Sequence, residues 1–221
     1  MKQLFVGLIA EGTTDIRFLK NVIYRSITEL SWQCDSQVEV FDIREIAVDG
    51  DTFSDKMLAA SKSAFECGIS VLCIHADSDA RSIKEVMQNK FSPFFEALKD
   101  MPEEEYCKHI IPTIPIQMIE SWMLADKELL KQQINATEKR NVDLGIEKAP
   151  EKYSDPKSTI EQAIRIAMSG QSKKKRNQIS ISDLYEVLGN SVELERLRTI
   201  PSFVNFEDNI INVFKKMGLM R

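Results

Sequence analysis

The chain has 221 residues, 43% of them hydrophobic, which fits one domain with a real core. Eight glycines and seven prolines speak against a disordered or fibrous composition, and no apolar stretch is long enough to span a bilayer. The formal net charge of −5 counts mildly against a nucleic-acid binder, which would usually be basic.

Along the chain, Gln3 to Ala10 is a short apolar run with β character. Thr13 to Leu30 follows with helical spacing, and Ile16, Leu19, Val22, Ile23, Ile27 and Leu30 share one face. Val38 to Ile46 alternates and reads as a second strand, and Asp49-Gly50-Asp51 is a turn. Thr52 to Cys67 predicts a helix with Met57, Leu58 and Phe65 inward. Ile69 to His75 is a continuous apolar run, the pattern of a strand buried on both faces. Ala80 to Lys99 is helical with an interruption at Ser92-Pro93. His109 to Ile116 is a fourth strand, whose two prolines place it at an edge or give it irregular ends. Met118 to Leu130 is helical. Residues 135–158 are polar and read as an extended connection. Helices are expected again at Lys157–Met168, Ser182–Leu188, Val192–Leu197 and Phe203–Met217.

This alternation predicts an α/β fold: a central parallel sheet of about four strands flanked by helices over residues 1–130. Residues 131–221 are expected to be a connection and a helical appendage packed on it. Met1-Lys2 leads directly into a strand-like run with no small-residue cleavage site behind it. The four cysteines (Cys34, Cys67, Cys73 and Cys107) have no CxxC spacing. The expectation is therefore a cytoplasmic protein with reduced thiols and no zinc site.

The chemistry-bearing residues gather at strand ends, where open parallel sheets collect their ligands. Glu11 and Asp15 follow the first strand, and Asp77 and Asp79 follow the third. Carboxylates collected at one sheet edge have few uses, and holding Mg²⁺ leads among them, because a hard cation takes oxygen ligands. Gly12 allows the sharp turn after Glu11, and Thr13 or Thr14 can cap the helix that follows. Asp15, on the first turn, serves a metal or merely favours the helix dipole. Asp-Ser-Asp is also ordinary loop chemistry, with Asp79 as a cap for the helix from Ala80. Glu120 stands in an apolar helical stretch, where it needs a partner if buried; the alternative is a solvent-facing position. His75 directly precedes the acidic pair, but a histidine inside a strand is more often packed. Lys173 to Arg176 is a solvated loop or a phosphate-backbone contact, and Lys157 is a weaker candidate for that contact. There is no GxxxxGK[ST] loop, no nucleophile triad, and no tyrosine in a context that suggests a covalent step: Tyr24, Tyr106, Tyr153 and Tyr185 are all unremarkable in sequence.

A strand ending in Glu-Gly, a second acid four residues on, and a later strand ending in Asp-x-Asp resemble the Toprim domain. Glu11–Leu19 (EGTTDIRFL) is similar to the form found in nucleases linked to OLD-type ATPases. Pro115–Asp126 (PIQMIESWMLAD) resembles the Pro-x-x-x-x-Glu-x-Trp-x-x-x-Asp signature of the DUF4276 group of small Toprim-like proteins, and Asp155-Pro156-Lys157, the lysine-rich stretch and Leu197–Phe206 resemble that group's C-terminal half. Asp15 departs from the pattern, since Glu is commoner there.

The resemblance implies a metal-dependent nuclease of DNA or RNA, with Glu11, Asp77 and Asp79 holding Mg²⁺ or Mn²⁺ and Asp15 and Glu120 completing a second site. A lysine, Lys174 of the basic run or Lys157, would face the phosphate. It further implies an ABC- or OLD-type ATPase partner in a bacterial anti-phage system; a second copy of the chain is a separate expectation among partners, with no membrane. Two alternatives stand beside it: a non-catalytic metal-binding subunit, and a receiver-like phosphoacceptor. Against the latter, a receiver carries its acidic pair after the first strand and its acceptor after the third, and here that order is reversed.

Overall fold

A computed structural model describes residues 1–79, 82–169 and 179–221. The first apolar run forms two strands rather than one, β1 (Lys2–Leu4) and β2 (Val6–Ile9), broken at Phe5. The second alternating run splits likewise into β3 (Val38–Val40) and β4 (Arg44–Glu45). β1 pairs with β3 and β2 with β4, so the two broken runs follow each other in parallel, and Phe5 stacks on Phe41 at 4.6 Å where both bend. With β5 (Val71–His75) and β6 (Ile110–Thr113), the main sheet has the order β4-β2-β5-β6, all parallel. The expected four-stranded parallel sheet is present. The proline-bearing strand β6 lies at its edge, where a missing N–H costs no ladder bond.

Side-chain alternation divides the core into two layers. Val71 and Cys73 face one cluster, and Leu72 and Ile74 the other. The first cluster holds α1 (Thr13–Ser31), which buries Leu19, Val22, Ile23, Ile27 and Leu30 as its spacing predicts. The second holds α2 (Phe53–Glu66), which buries Met57, Ala60, Ser61 and Ala64. Leu58 is only half-buried and Phe65 is exposed, because the inward stripe of α2 runs at 57, 60, 61 and 64 and leaves 65 beside it.

Ala80, where the next helix is expected to start, lies outside the described residues. Among the described residues the helix begins with α3 (Ile83–Val86), which has Ser82 rather than Asp79 at its N-cap. A π-helical turn, Met87–Phe91, then leads into α4 (Ser92–Lys99). Pro93 has no N–H to give residue 89, so the ladder widens, and the Ser92 N–H reaches back five residues to the Met87 carbonyl. The helix expected over Met118 to Leu130 is two short ones, α5 (Glu120–Met123) and α6 (Lys127–Gln133). They part where Asp126 caps α6 by accepting from the Leu129 N–H at 2.9 Å.

Residues 135–158 are not simply extended. They contain α7 (Asn141–Leu144) and a 3₁₀ turn at Pro150–Lys152, and they bury Leu144, Ile146 and Tyr153. Four helices follow among the described residues: α8 (Pro156–Ala167), α9 (Ile181–Ser191), α10 (Leu194–Leu197) and α11 (Pro201–Lys216). Leu184, Leu188, Phe203, Phe206, Ile210 and Phe214 join the same cluster as Val6, Leu8 and Cys73. The helices after residue 130 thus cover one face of the sheet. α9 lies against α1 so closely that a Cβ on Gly189 would stand 2.5 Å from the Phe18 carbonyl oxygen. No helix among the described residues is long and apolar enough to cross a membrane.

Candidate metal centre

The chain runs from β2 to β4 on one side of the sheet and then returns to β5 on the other, so the strand order reverses between β2 and β5. Such a switch point opens a crevice at the carboxyl ends of the two strands. In the β2–β5 register Ile9 lies opposite Ile74, which carries Glu11 and Asp77 off the same end of these two strands.

Asp15 enters from the first turn of α1. Its carboxylate accepts the Gly12 N–H at 3.0 Å and the Thr14 hydroxyl at 3.4 Å, so it caps the helix. It also faces His75: Asp15 Oδ2 is 3.9 Å from His75 Nδ1, and on the other side of the ring Nε2 is 3.2 Å from Asp77 Oδ1. The imidazole is buried between two carboxylates. Neither contact has hydrogen-bond geometry, so both His75 nitrogens and Asp77 Oδ1 are buried without a hydrogen-bond partner among the described residues. Such orphaned atoms are rare and call for an explanation. Burial pushes the Asp15 carboxyl up, the charge of His75 opposes this, and Asp77 adds to it.

Glu120 is 4% exposed at the start of α5, so the buried reading holds and the solvent-facing one does not. Its partner is a residue the sequence did not single out. The Tyr185 hydroxyl on α9, itself 1% exposed, donates to Glu120 Oε1. Burial raises the Glu120 carboxyl; the Tyr185 hydrogen bond lowers it again, and Asp77 raises it as a neighbouring like charge. Burial, Glu120 and the charge of Asp15 together push the Tyr185 phenol far up. Tyr185 is thus a member of the acidic neighbourhood, where its sequence context had suggested nothing. Lys157, exposed on the first turn of α8, acts on Glu120 only through its charge.

Asp79 sits at the turn that follows Asp77. It is exposed and has left-handed backbone (φ 46°), and its N–H is held by the carbonyl of Gln117, also left-handed at φ 65°. The Gln117 N–H in turn bonds the Ser78 hydroxyl at 2.8 Å. The loops after β5 and β6 are therefore braced to each other, and an aspartate tolerates the left-handed position better than most residues. Asp79 supports the turn that presents Asp77. The basic run with Lys174 lies outside the described residues.

A second residue not read from the sequence is Lys90, on the π turn. Its ammonium stands 3.3 Å from Glu11 Oε1 and 3.4 Å from the Asp77 carbonyl oxygen. Beside Glu11 an open cleft of about 260 Å³ continues along β4, lined also by Glu45, Asp49 and Lys56.

Among the described residues, no group of three or more His, Cys, Asp or Glu side chains stands ready to hold a metal. The donor chemistry fits a hard divalent cation. The acids are oxygen donors, Asp77 Oδ1 lacks a hydrogen-bond partner among the described residues, and Asp77 disfavours the charged forms of both Asp15 and Glu120. They are not gathered into a cage, since Glu11 is engaged by Lys90, Asp15 by Gly12 and Glu120 by Tyr185.

The residues around Glu120 have structural duties. Trp122 is fully buried, donates its indole N–H to Ser202 Oγ at 2.8 Å and packs edge-on against Phe203, while Asp126 and Asp155 cap α6 and α8. Comparison of this chain with family models, curated proteins and solved structures finds no match.

Proposed function

We propose that this protein is a metal-dependent phosphodiesterase of Toprim type acting on DNA or RNA. One observation carries the reading: Glu11 and Asp77 leave adjacent parallel strands at the switch point of the sheet, with Asp77 Oδ1 buried, 3.2 Å from His75 and without a hydrogen-bond partner among the described residues. The resemblance of EGTTD and HADSD to the Toprim motifs adds to it. Mg²⁺ or Mn²⁺ bound there would lower the pKa of a coordinated water and neutralise charge on the phosphate.

Glu11, Asp77 and Asp79 would hold the cation, with Asp15 and Glu120 as the adjoining acids of a second site. His75, buried between Asp15 and Asp77, separates the two carboxylates. Tyr185 holds Glu120 in place from α9, so the C-terminal helices complete the site. Lys157 is near enough to Glu120 to be felt by it, and with Lys174 it is the proposed cation for the phosphate. The sequence has no ATP-binding loop of its own, which accords with the further proposal of an ABC- or OLD-type ATPase partner in an anti-phage system.

A second reading, a metal-binding subunit without turnover, is favoured by two facts: no three-ligand group is assembled among the described residues, and Lys90 engages Glu11.

The test is cleavage of plasmid, single-stranded DNA and total tRNA with Mg²⁺ or Mn²⁺ by wild type, Glu11→Ala and Asp77→Ala. Metal-dependent cutting that both substitutions abolish supports the nuclease. A folded wild type that binds metal and cuts nothing, alone or with an ATPase partner, leaves the non-catalytic subunit.

A further inference from the structure

Lys90 has no part in the roles assigned above, yet it sits in the middle of them. Its ammonium lies between the Glu11 carboxylate and the Asp77 carbonyl oxygen, the two groups that leave the central strands, and 5.9 Å from the centre of the Phe53 ring. It is a cation already resident at the edge where a divalent cation would bind.

Its placement depends on an unusual piece of backbone. The π turn over Met87–Phe91 inserts one extra residue between α3 and α4, and the Ser92 hydroxyl braces it by donating to the Met87 carbonyl at 2.9 Å. One residue of helix turns the side-chain direction by roughly 100°, so the insertion decides which way this position points relative to α4. π turns cost hydrogen-bond quality and recur at functional sites.

We infer that Lys90 is the residue that sets the affinity of the acidic edge for divalent cations: its ammonium and the metal compete for Glu11, and the metal binds by displacing it. This rests on the reading of Glu11 and Asp77 as metal ligands. The contact is partly open to water, with the Lys90 side chain 33% and that of Glu11 47% exposed, so the competition is moderate rather than absolute. A unit charge at such a distance in a near-aqueous setting corresponds to a change on the order of tenfold in affinity.

The test is direct Mn²⁺ binding, followed by loss of the free-ion electron paramagnetic resonance signal. The proteins are wild type, Lys90→Met, Lys90→Arg and Glu11→Gln, each checked for folding by circular dichroism. Lys90→Met keeps the length of the side chain and removes its charge, so it should bind Mn²⁺ about tenfold more tightly than wild type. Lys90→Arg keeps the charge and should stay near wild type, which a merely structural lysine would not require. Glu11→Gln should weaken binding. Equal affinity of wild type and Lys90→Met, with Glu11→Gln still weaker, would overturn the role of Lys90 and leave the metal site standing. Absence of binding by all four proteins would remove the metal site and the competition together.

Discussion

Replacing Tyr185 by Phe removes one oxygen atom from a site where both partners are almost fully buried, Tyr185 at 1% and Glu120 at 4% exposure. Glu120 would keep its burial and lose its only side-chain donor among the described contacts. A hydrogen bond to a charged carboxylate contributes about 1.5–3 kcal/mol, and one to a neutral carboxyl about 0.5–1.5 kcal/mol. The cost of Tyr185→Phe therefore depends on the charge of Glu120. Burial raises the folded-state pKa of Glu120 above its unfolded value, so its protonated form is favoured by folding, and stability is lost as the pH rises through the raised value. The Tyr185 hydrogen bond pulls that value back down, and deleting it moves the value further up. The substitution should thus cost about 1 kcal/mol at the acid end of a pH series, where Glu120 is protonated, and about 2–3 kcal/mol at its alkaline end, where Glu120 is ionised. Urea unfolding followed by Trp122 is the assay, since its indole is buried against Phe203 and Ser202 while Trp32 is exposed and reports little. In a thermal scan the same difference is about 2–4 °C for each kcal/mol in a chain of this size. A cost that is identical at the two ends would refute the reasoning, because Glu120 would then not be the group that titrates. Glu120→Gln should flatten the pH dependence of wild type in the same window.

Two further outcomes follow from packing. Gly189→Ala should destabilise the protein by about 1–3 kcal/mol, read by the same urea midpoint, because the new methyl meets the Phe18 backbone rather than a movable side chain; an unchanged midpoint would mean that α1 and α9 can separate without cost. Alkylation of the native protein at mildly alkaline pH should label Cys67, which is exposed, and spare Cys73 and Cys107, which are buried. Burial pushes the Cys107 thiol up to about 11 and that of Cys73 higher still, so neither forms the reactive thiolate. Mass spectrometry of the labelled peptides decides it, and modification of Cys73 at the rate of Cys67 would contradict the buried strand.

The parallel α/β fold was legible from local patterns alone. Continuous apolar strands, a helical stripe over Thr13–Leu30 and alternation of the two need only short-range periodicity. Glu11, Asp15 and Asp77 were legible as candidates for the same reason, since acids just past strand ends arrive at one edge of any such sheet. The sequence could not tell how those acids are partnered, because partners come from far along the chain. Tyr185 reaches Glu120 across 65 residues and Lys90 reaches Glu11 across 79, and nothing near either residue marks the contact. The π turn behind Lys90 arises from the missing N–H of Pro93, and whether such a break bends, ends or widens a helix is decided by what the helix packs against. Asp-Ser-Asp specifies a turn without fixing how each of its two carboxylates is set. The bracing of that loop by Gln117, from the neighbouring strand's end, buries Ser78, leaves Asp77 beside His75 and leaves Asp79 exposed. Local periodicity thus determined the layers and the edge, and long-range packing alone decided which charges at that edge meet.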